Sequence, residues 1–303
     1  MSNAAIQLEG LSRAFDAEKA VDDLCLTVPE GSVFGFIGPN GAGKTTTIRM
    51  TVGHLRPSEG TVRTLGIDPW QHDEETRRRV AYVSENMALP GWMTPDSAVR
   101  WCAPMYPKWD EHLAGQLLDE FGLRGKGRFW GLSKGQKRSL CIVLALCQGA
   151  DLLVMDEPAS SMDPAARRDF LTRVLDVACE EGRTVFFSSH ILSDVERIVD
   201  RVGILCAGRL RLEGELDALK RGARRLLLPK ALADGELASV FRVLQERRAD
   251  DRTDAVVLDF DEDRFRAFCT EQGCAEGAQH HGLNLEDLFV AVAGANRDFT
   301  GGA

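Results

Sequence analysis

Gly38-Pro39-Asn40-Gly41-Ala42-Gly43-Lys44-Thr45 is the stretch whose reading decides the fold. It matches the pattern G-x-x-x-x-G-K-[ST], and its setting carries as much weight as its letters: residues 32–37 before it form an apolar β-type run, and residues 46–50 after it have helical character. A glycine-rich turn between strand and helix lets successive backbone N–H groups face inward, while the helix start adds further donors and partial positive charge. Such a turn cradles phosphate oxygens. Asn40, Gly41, Ala42, Gly43 and Thr46 are expected to contact a nucleotide, Lys44 to reach its β- and γ-phosphates, and Thr45 to ligate Mg²⁺. A glycine-rich turn holding nothing is the competing reading, and the flanking strand and helix weigh against it.

A second run, Leu152-Leu153-Val154-Met155-Asp156-Glu157, is an apolar strand ending in two acids. Acids after a buried strand are most often just its solvated end. Downstream of a phosphate loop they match the way a P-loop NTPase presents one carboxylate to the Mg²⁺ shell and another to the attacking water. Asp156 is then the metal-side acid and Glu157 the general base. Further β-type runs at 80–83 and 184–188 alternate with helical stretches from residue 6 to about 220, which is an α/β pattern. In such sheets ligands sit at the carboxyl ends of the strands, where all of these residues fall.

The 303 residues are 44% apolar and 27% charged, the balance of an ordinary globular chain, with a formal net charge of −9 that disfavours a broad nucleic-acid footprint. The longest apolar run, 141–147, is far short of the roughly 20 residues that span a bilayer as a helix. Met1-Ser2-Asn3-Ala4-Ala5 lacks a basic segment followed by an apolar core, so secretion is not expected and a cytosolic location is. The eight cysteines include no C-x-x-C pair, and Cys141, Cys147 and Cys206 lie in apolar runs, so reduced and mostly buried thiols are expected.

Leu132-Ser133-Lys134-Gly135-Gln136, shortly before the acidic strand, resembles the signature motif of ABC ATPases. The resemblance runs from about residue 6 to 213 with motif order intact. It implies a P-loop NTPase with a RecA-like core, an antiparallel β-subdomain and a helical subdomain. It further implies that Ser133, Lys134, Gly135 and Gln136 serve in trans, completing the ATP site of a second ABC subunit. Ser160-Ser161-Met162-Asp163 resembles the family's D-loop, with Asp163 as its acid, and His190 the switch histidine that contacts the γ-phosphate. Phe15 stands where the family places a ring against adenine, although a Phe beside an N-terminal strand is also an ordinary core residue. Two departures stand out. Lys134 replaces the common glycine, and Glu85 replaces the glutamine that joins the Mg²⁺ shell to the helical subdomain; a carboxylate is still a sound ligand for a hard cation.

Residues from about 87 to 149 are broken by Pro90, Pro95, Pro104 and Pro107 and hold Trp92, Trp101, Trp109 and Trp130, a helical insertion. Segments 87–95 and 104–110 look similar to the branch of ABC ATPases that serves ABC-2-type permeases, many of them exporters. Their aromatic and Met residues form either a docking surface for a permease helix or the insertion's own core. The division expected is an ABC ATPase domain over 1–221 and a small C-terminal α+β accessory region over 222–303. In that region 224–228 and 255–260 read as strands, 238–247 and 285–292 as helices, with Asn284 capping the last. The resemblance implies an ATP- and Mg²⁺-dependent ATPase subunit, held at the inner face of the cell membrane by a separate permease and paired with a second ABC subunit. The alternative is a non-transport ABC ATPase acting on ribosomes or nucleic acid. One phosphate loop, no sustained heptads and an acidic chain count against it.

Overall fold

The computed structural model describes residues 4–16, 18–160, 162–180, 182–233 and 235–294. Its contacts divide the chain into two units, residues 1–210 and 211–303. The sequence-based boundary was placed at 221/222, and the residues in between belong to a strand and a short helix at the start of the second unit.

In chain order the first unit runs β1 (Ala4–Phe15), β2 (Glu18–Pro29), β3 (Val33–Ile37), α1 (Lys44–Thr51), β4 (Glu59–Thr64), α2 (Glu74–Arg78), β5 (Val80–Val83), α3 (Pro95–Cys102), α4 (Glu111–Glu120), α5 (Lys134–Cys147), β6 (Leu152–Asp156), α6 (Pro164–Glu180), β7 (Thr184–Ser189), α7 (Leu192–Val195) and β8 (Arg201–Cys206). The chain leaves it along β9 (Arg209–Glu215). Among the described residues, β2-β1-β4 make an antiparallel sheet and β5-β6-β7-β3-β8-β9 a six-stranded one whose pairs among β3, β5, β6, β7 and β8 are parallel. This is the α/β core with an antiparallel subdomain that the sequence led us to expect.

Strands β3, β6 and β7 are buried along their whole length, so they read as continuous apolar runs rather than alternating ones. Phe34 and Phe36 meet Phe186 across the sheet with ring centroids 5.8 and 5.4 Å apart, and the same cluster takes in Leu8 and Leu24 of the antiparallel sheet. Register then positions the site. Ile37 pairs with Ser189, and Asp156 with Ser188, so the three strands end at one level.

Helices α3 and α4 pack on α5, which is buried from Arg138 through Cys147 and forms the centre of the helical insertion. No helix among the described residues is long and apolar enough to cross a membrane. No disulfide joins any of the eight cysteines, all of which lie among the described residues; burial pushes the Cys141 thiol up to about 11.

The second unit continues with α8 (Leu216–Gly222), β10 (Arg224–Leu228), β11 (Arg242–Ala249), β12 (Arg252–Leu258), α9 (Glu262–Glu271), β13 (Gln279–Gly282) and α10 (Leu285–Gly294). Its four strands form an antiparallel sheet in the order β11-β12-β10-β13 over a core of Leu226, Val257, Phe265 and Phe268. The α+β expectation holds, and Asn284 Oδ1 accepts the Asp287 N–H at 2.8 Å as the cap of α10.

The helix expected over 238–247 is wrong. Leu237, Val240, Phe241 and Leu244 stand at the i, i+3, i+4, i+7 spacing of a helix face. Only Leu237–Ser239 makes a helical turn, a 3₁₀ one, before β11 begins. A register shift between Val243 and Gln245 interrupts the two-residue alternation by which a strand is recognised.

Candidate functional site

Beyond the ends of β3, β6 and β7 lies a cavity of about 540 Å³ lined by Phe15, Asn40 through Thr46, Glu85, Glu157 and His190, with Glu18, Ala20 and Ser160. Residues from five separate parts of the sequence, each singled out on its own, thus meet around one space.

The loop from β3 to α1 is shaped by backbone demands. Gly41 and Gly43 hold φ of +80° and +103°, and a Cβ on Gly43 would stand 2.3 Å from the Ala20 carbonyl. Gly43 is also the N-cap of α1. It offers no side-chain acceptor, and the first turn carries no acid, which leaves that turn's N–H groups for an anion. Lys44 is only 6% exposed; its Nζ donates to the carbonyls of Gly38 at 2.7 Å and Pro39 at 3.2 Å and lies 3.5 Å from Glu157 Oε1.

The acids differ in surroundings. Asp156 is 1% exposed, and its Oδ1 accepts from the Ser188 hydroxyl at 2.6 Å while its Oδ2 is buried with no hydrogen-bond partner. A carboxylate oxygen left so is paid for by a cation or a donor from outside the chain. Glu157 takes a φ of +50°, a strained position for a non-glycine residue. Its N–H donates to Ser188 Oγ at 2.9 Å, and its Oε2 pairs with His190 Nδ1 at 2.8 Å.

Ser188 therefore braces both acids, a role that sequence reading missed because only the β6–β7 register brings residues 31 and 32 positions apart together. Ser188→Ala would orphan the Glu157 N–H and leave Asp156 Oδ1 without its donor. The expected cost is about 1 to 3 kcal/mol, read as a lowered midpoint in thermal unfolding.

Ser133, Lys134, Gly135, Met162 and Asp163 line a separate cavity of about 560 Å³ with Phe121 and Phe170. Ser133 and Gln136 form a capping box at the start of α5: Ser133 Oγ accepts the Gln136 N–H at 3.2 Å, and Gln136 Oε1 the Ser133 N–H at 3.0 Å. Ser161 of the expected D-loop lies outside the described residues.

Phe15 is 46% exposed with the Arg13 guanidinium 4.8 Å from its ring centroid, so it is not a core residue. Trp92, Trp101 and Trp130 are more than half exposed, whereas Trp109 is half-buried, stacked with Tyr106 at 6.3 Å. The first three do not fill the insertion's core.

A phosphate-cradling loop, a buried strand-end acid, a neighbouring carboxylate and a histidine on a parallel sheet define a P-loop nucleotide-binding protein of the ATPase class. The comparisons carry this further. The family model for ABC transporters matches residues 21–160. The chain is 33% identical over 227 residues to the bacitracin transport ATP-binding protein BcrA of Bacillus licheniformis, covering 73% of each chain. It is 34% identical over 239 residues to the daunorubicin/doxorubicin resistance ATP-binding protein DrrA of Streptomyces peucetius, covering 77% of this chain and 72% of that one. Among solved structures, an ATP-binding subunit of an ABC transporter aligns with a TM-score of 0.63 at 30% identity, over 72% of this chain and 92% of that one. The chain belongs to the ABC transporter family of ATP-binding proteins.

Proposed function

We propose that the chain hydrolyses Mg·ATP at a site shared with a second ABC subunit and thereby drives a separate multi-span permease, in the outward direction. The observation that carries the reading is the separation of the two half-sites. The phosphate loop and the signature residues line different cavities of one chain, so a nucleotide held by one needs the signature helix of another molecule. Gly135 supports this. A Cβ there would meet nothing of its own chain closer than 3.8 Å, yet glycine costs a helix about 1 kcal/mol relative to alanine. A close approach from outside the chain gives it a purpose.

In this reading Asn40 through Thr46 hold the phosphates, Lys44 neutralises the β- and γ-oxygens, and Phe15 lies against the base. Thr45 and Asp156 hold Mg²⁺, with Glu85 beside them, and the unpartnered Oδ2 of Asp156 fits that assignment. The ion, when bound, neutralises charge on the phosphate oxygens. Glu157 takes a proton from the attacking water, and His190, already on Glu157 Oε2, orients that carboxylate and senses the γ-phosphate. Ser133, Lys134, Gly135 and Gln136 act on the partner's nucleotide, with Asp163 at the shared boundary. Residues 1–221 form the ATPase domain and 222–303 an accessory region.

The exposed Met87 and Trp92, which follow Glu85 in the chain, and Trp130, whose ring lies against Gly91, suit docking of a short permease helix, which would hold the subunit at the inner face of the membrane. The names of both relatives, transport in one and drug resistance in the other, favour export over the ribosome- or nucleic-acid-acting alternative. The test is to tag the chain in its native host, solubilise membranes gently and identify what copurifies. A multi-span protein in stoichiometric amount is expected, with a second ABC subunit if the pair is heteromeric. Recovery only with ribosomal or nucleic-acid partners would overturn transport and leave the ATPase reading standing.

A further inference from the structure

Arg138, on the second turn of α5, is 7% exposed, and its guanidinium donates to two consecutive backbone carbonyls: Nη1 to Ser84 and Nη2 to Glu85, the latter at 2.6 Å. Three residues along the same helix, Cys141 Sγ lies 4.0 Å from the Met87 carbonyl, which it faces as a weak donor. The segment 84–87 joins β5 to the helical insertion, and α5 thus holds three of its carbonyls. It is the helix that begins at the signature residues, so one rigid element touches both the Glu85 edge of this chain's own nucleotide cavity and the surface offered to a partner.

Keeping a guanidinium here is costly. Burial lowers the Arg138 pKa, opposed by Cys141, Glu85, Asp156 and Glu157 around it. A hydrophobic side chain of similar volume would fill the space without that cost. What it would lack is the planar fork. Two N–H donors fixed in one plane set the direction as well as the distance of the backbone they grip, which a single ammonium cannot do.

We propose that Arg138 is a positioning residue that locks the Glu85 segment to the signature helix, so that the Glu85 carboxylate and residues 133–136 keep one fixed relation as the site closes. The proposal rests on the ATP-hydrolysing reading of the site. Arg138 does not line the nucleotide cavity and acts through Glu85.

The test uses the full chain and two variants, Arg138→Gln and Arg138→Lys, with kinetics normalised to nucleotide-binding sites and amide hydrogen exchange followed at 84–87. For Arg138→Gln, kcat is expected to fall roughly 10- to 100-fold while KM for ATP stays within about threefold, because misplacement rather than lost binding is at issue. Exchange at 84–87 should quicken in the same variant. Arg138→Lys keeps the charge without the fork and should recover only part of kcat. Full recovery by lysine would overturn the proposal in favour of a simple charge effect. Unchanged kcat and exchange in the glutamine variant would overturn it outright, and so would equal losses in nucleotide binding and kcat, the mark of a merely structural residue. Should the wild-type chain, assayed together with the ABC subunit that completes its site, show no ATP turnover, the hydrolytic reading fails, and exchange at 84–87 in the two variants still decides whether Arg138 grips that segment.

Discussion

Glu157→Gln is expected to cut ATP turnover by roughly 10²- to 10⁴-fold, the usual worth of a positioned general base, while leaving ATP binding intact. The geometry isolates basicity from shape. Glutamine matches the side chain in size, and its carbonyl oxygen can still accept from His190, which in the wild-type chain pairs with Oε2 at 2.8 Å. The Glu157 N–H keeps its 2.9 Å bond to Ser188 Oγ, because that contact is made by the backbone. What disappears is the negative charge that takes the water's proton, together with the 3.5 Å attraction to Lys44. The variant should therefore hold ATP without consuming it and favour the closed pair of subunits. Phosphate release and nucleotide binding, measured on the same preparation, check this. An unchanged hydrolysis rate would remove Glu157 from its role and pass the water to another acceptor.

The ATP site was legible in the sequence to the extent that its residues come in contiguous runs. Residues 38–45 and 152–157 announce themselves because a phosphate cradle and a strand-end acid pair are local designs: each needs a strand, a turn and a few neighbours in the chain. Ser188 and Arg138 were invisible by the same logic. Ser188 looks like the polar end of a strand until register sets it against Asp156, and Arg138 looks like a solvated helix residue until α5 packs against 84–87. The second unit divides similarly. Residues 224–228 end in three consecutive leucines, and 285–294 follow a cap at Asn284 and carry one apolar face, so both were readable. Helix α9 went unmarked although Asp261 caps it, accepting from the Arg264 N–H at 2.9 Å, and Glu262 and Asp263 follow in its first turn. That start signal was present in the chain. Nothing comparable marks β13, Gln279-His280-His281-Gly282, whose strand character comes from pairing with β10 rather than from its residues.

Lys44→Ala should fail at the earlier step, weakening ATP binding by roughly 100-fold as charge-assisted hydrogen bonds to phosphate are lost. The ammonium is already in place before any ligand arrives. Two of its three donors are satisfied by the Gly38 and Pro39 carbonyls at 2.7 and 3.2 Å, and Glu157 Oε1 lies 3.5 Å away. A buried lysine held by its own loop loses little rotamer freedom when phosphate enters, so most of the electrostatic gain appears as affinity. Alanine forfeits that gain and leaves Glu157 without its cation. Of the carbonyls it abandons, that of Pro39 still accepts the Ala42 N–H at 3.1 Å, while that of Gly38 loses a buried donor, so the thermal unfolding midpoint should fall by the equivalent of about 1 to 3 kcal/mol. Calorimetric titration with ATP, set beside a thermal melt, separates the two effects. Wild-type affinity and turnover in Lys44→Ala would refute the phosphate-loop assignment itself. Read with Glu157→Gln the result is diagnostic: one variant should bind without turning over and the other should scarcely bind, and only a site in which Lys44 meets the phosphates and Glu157 meets the water separates them in that way.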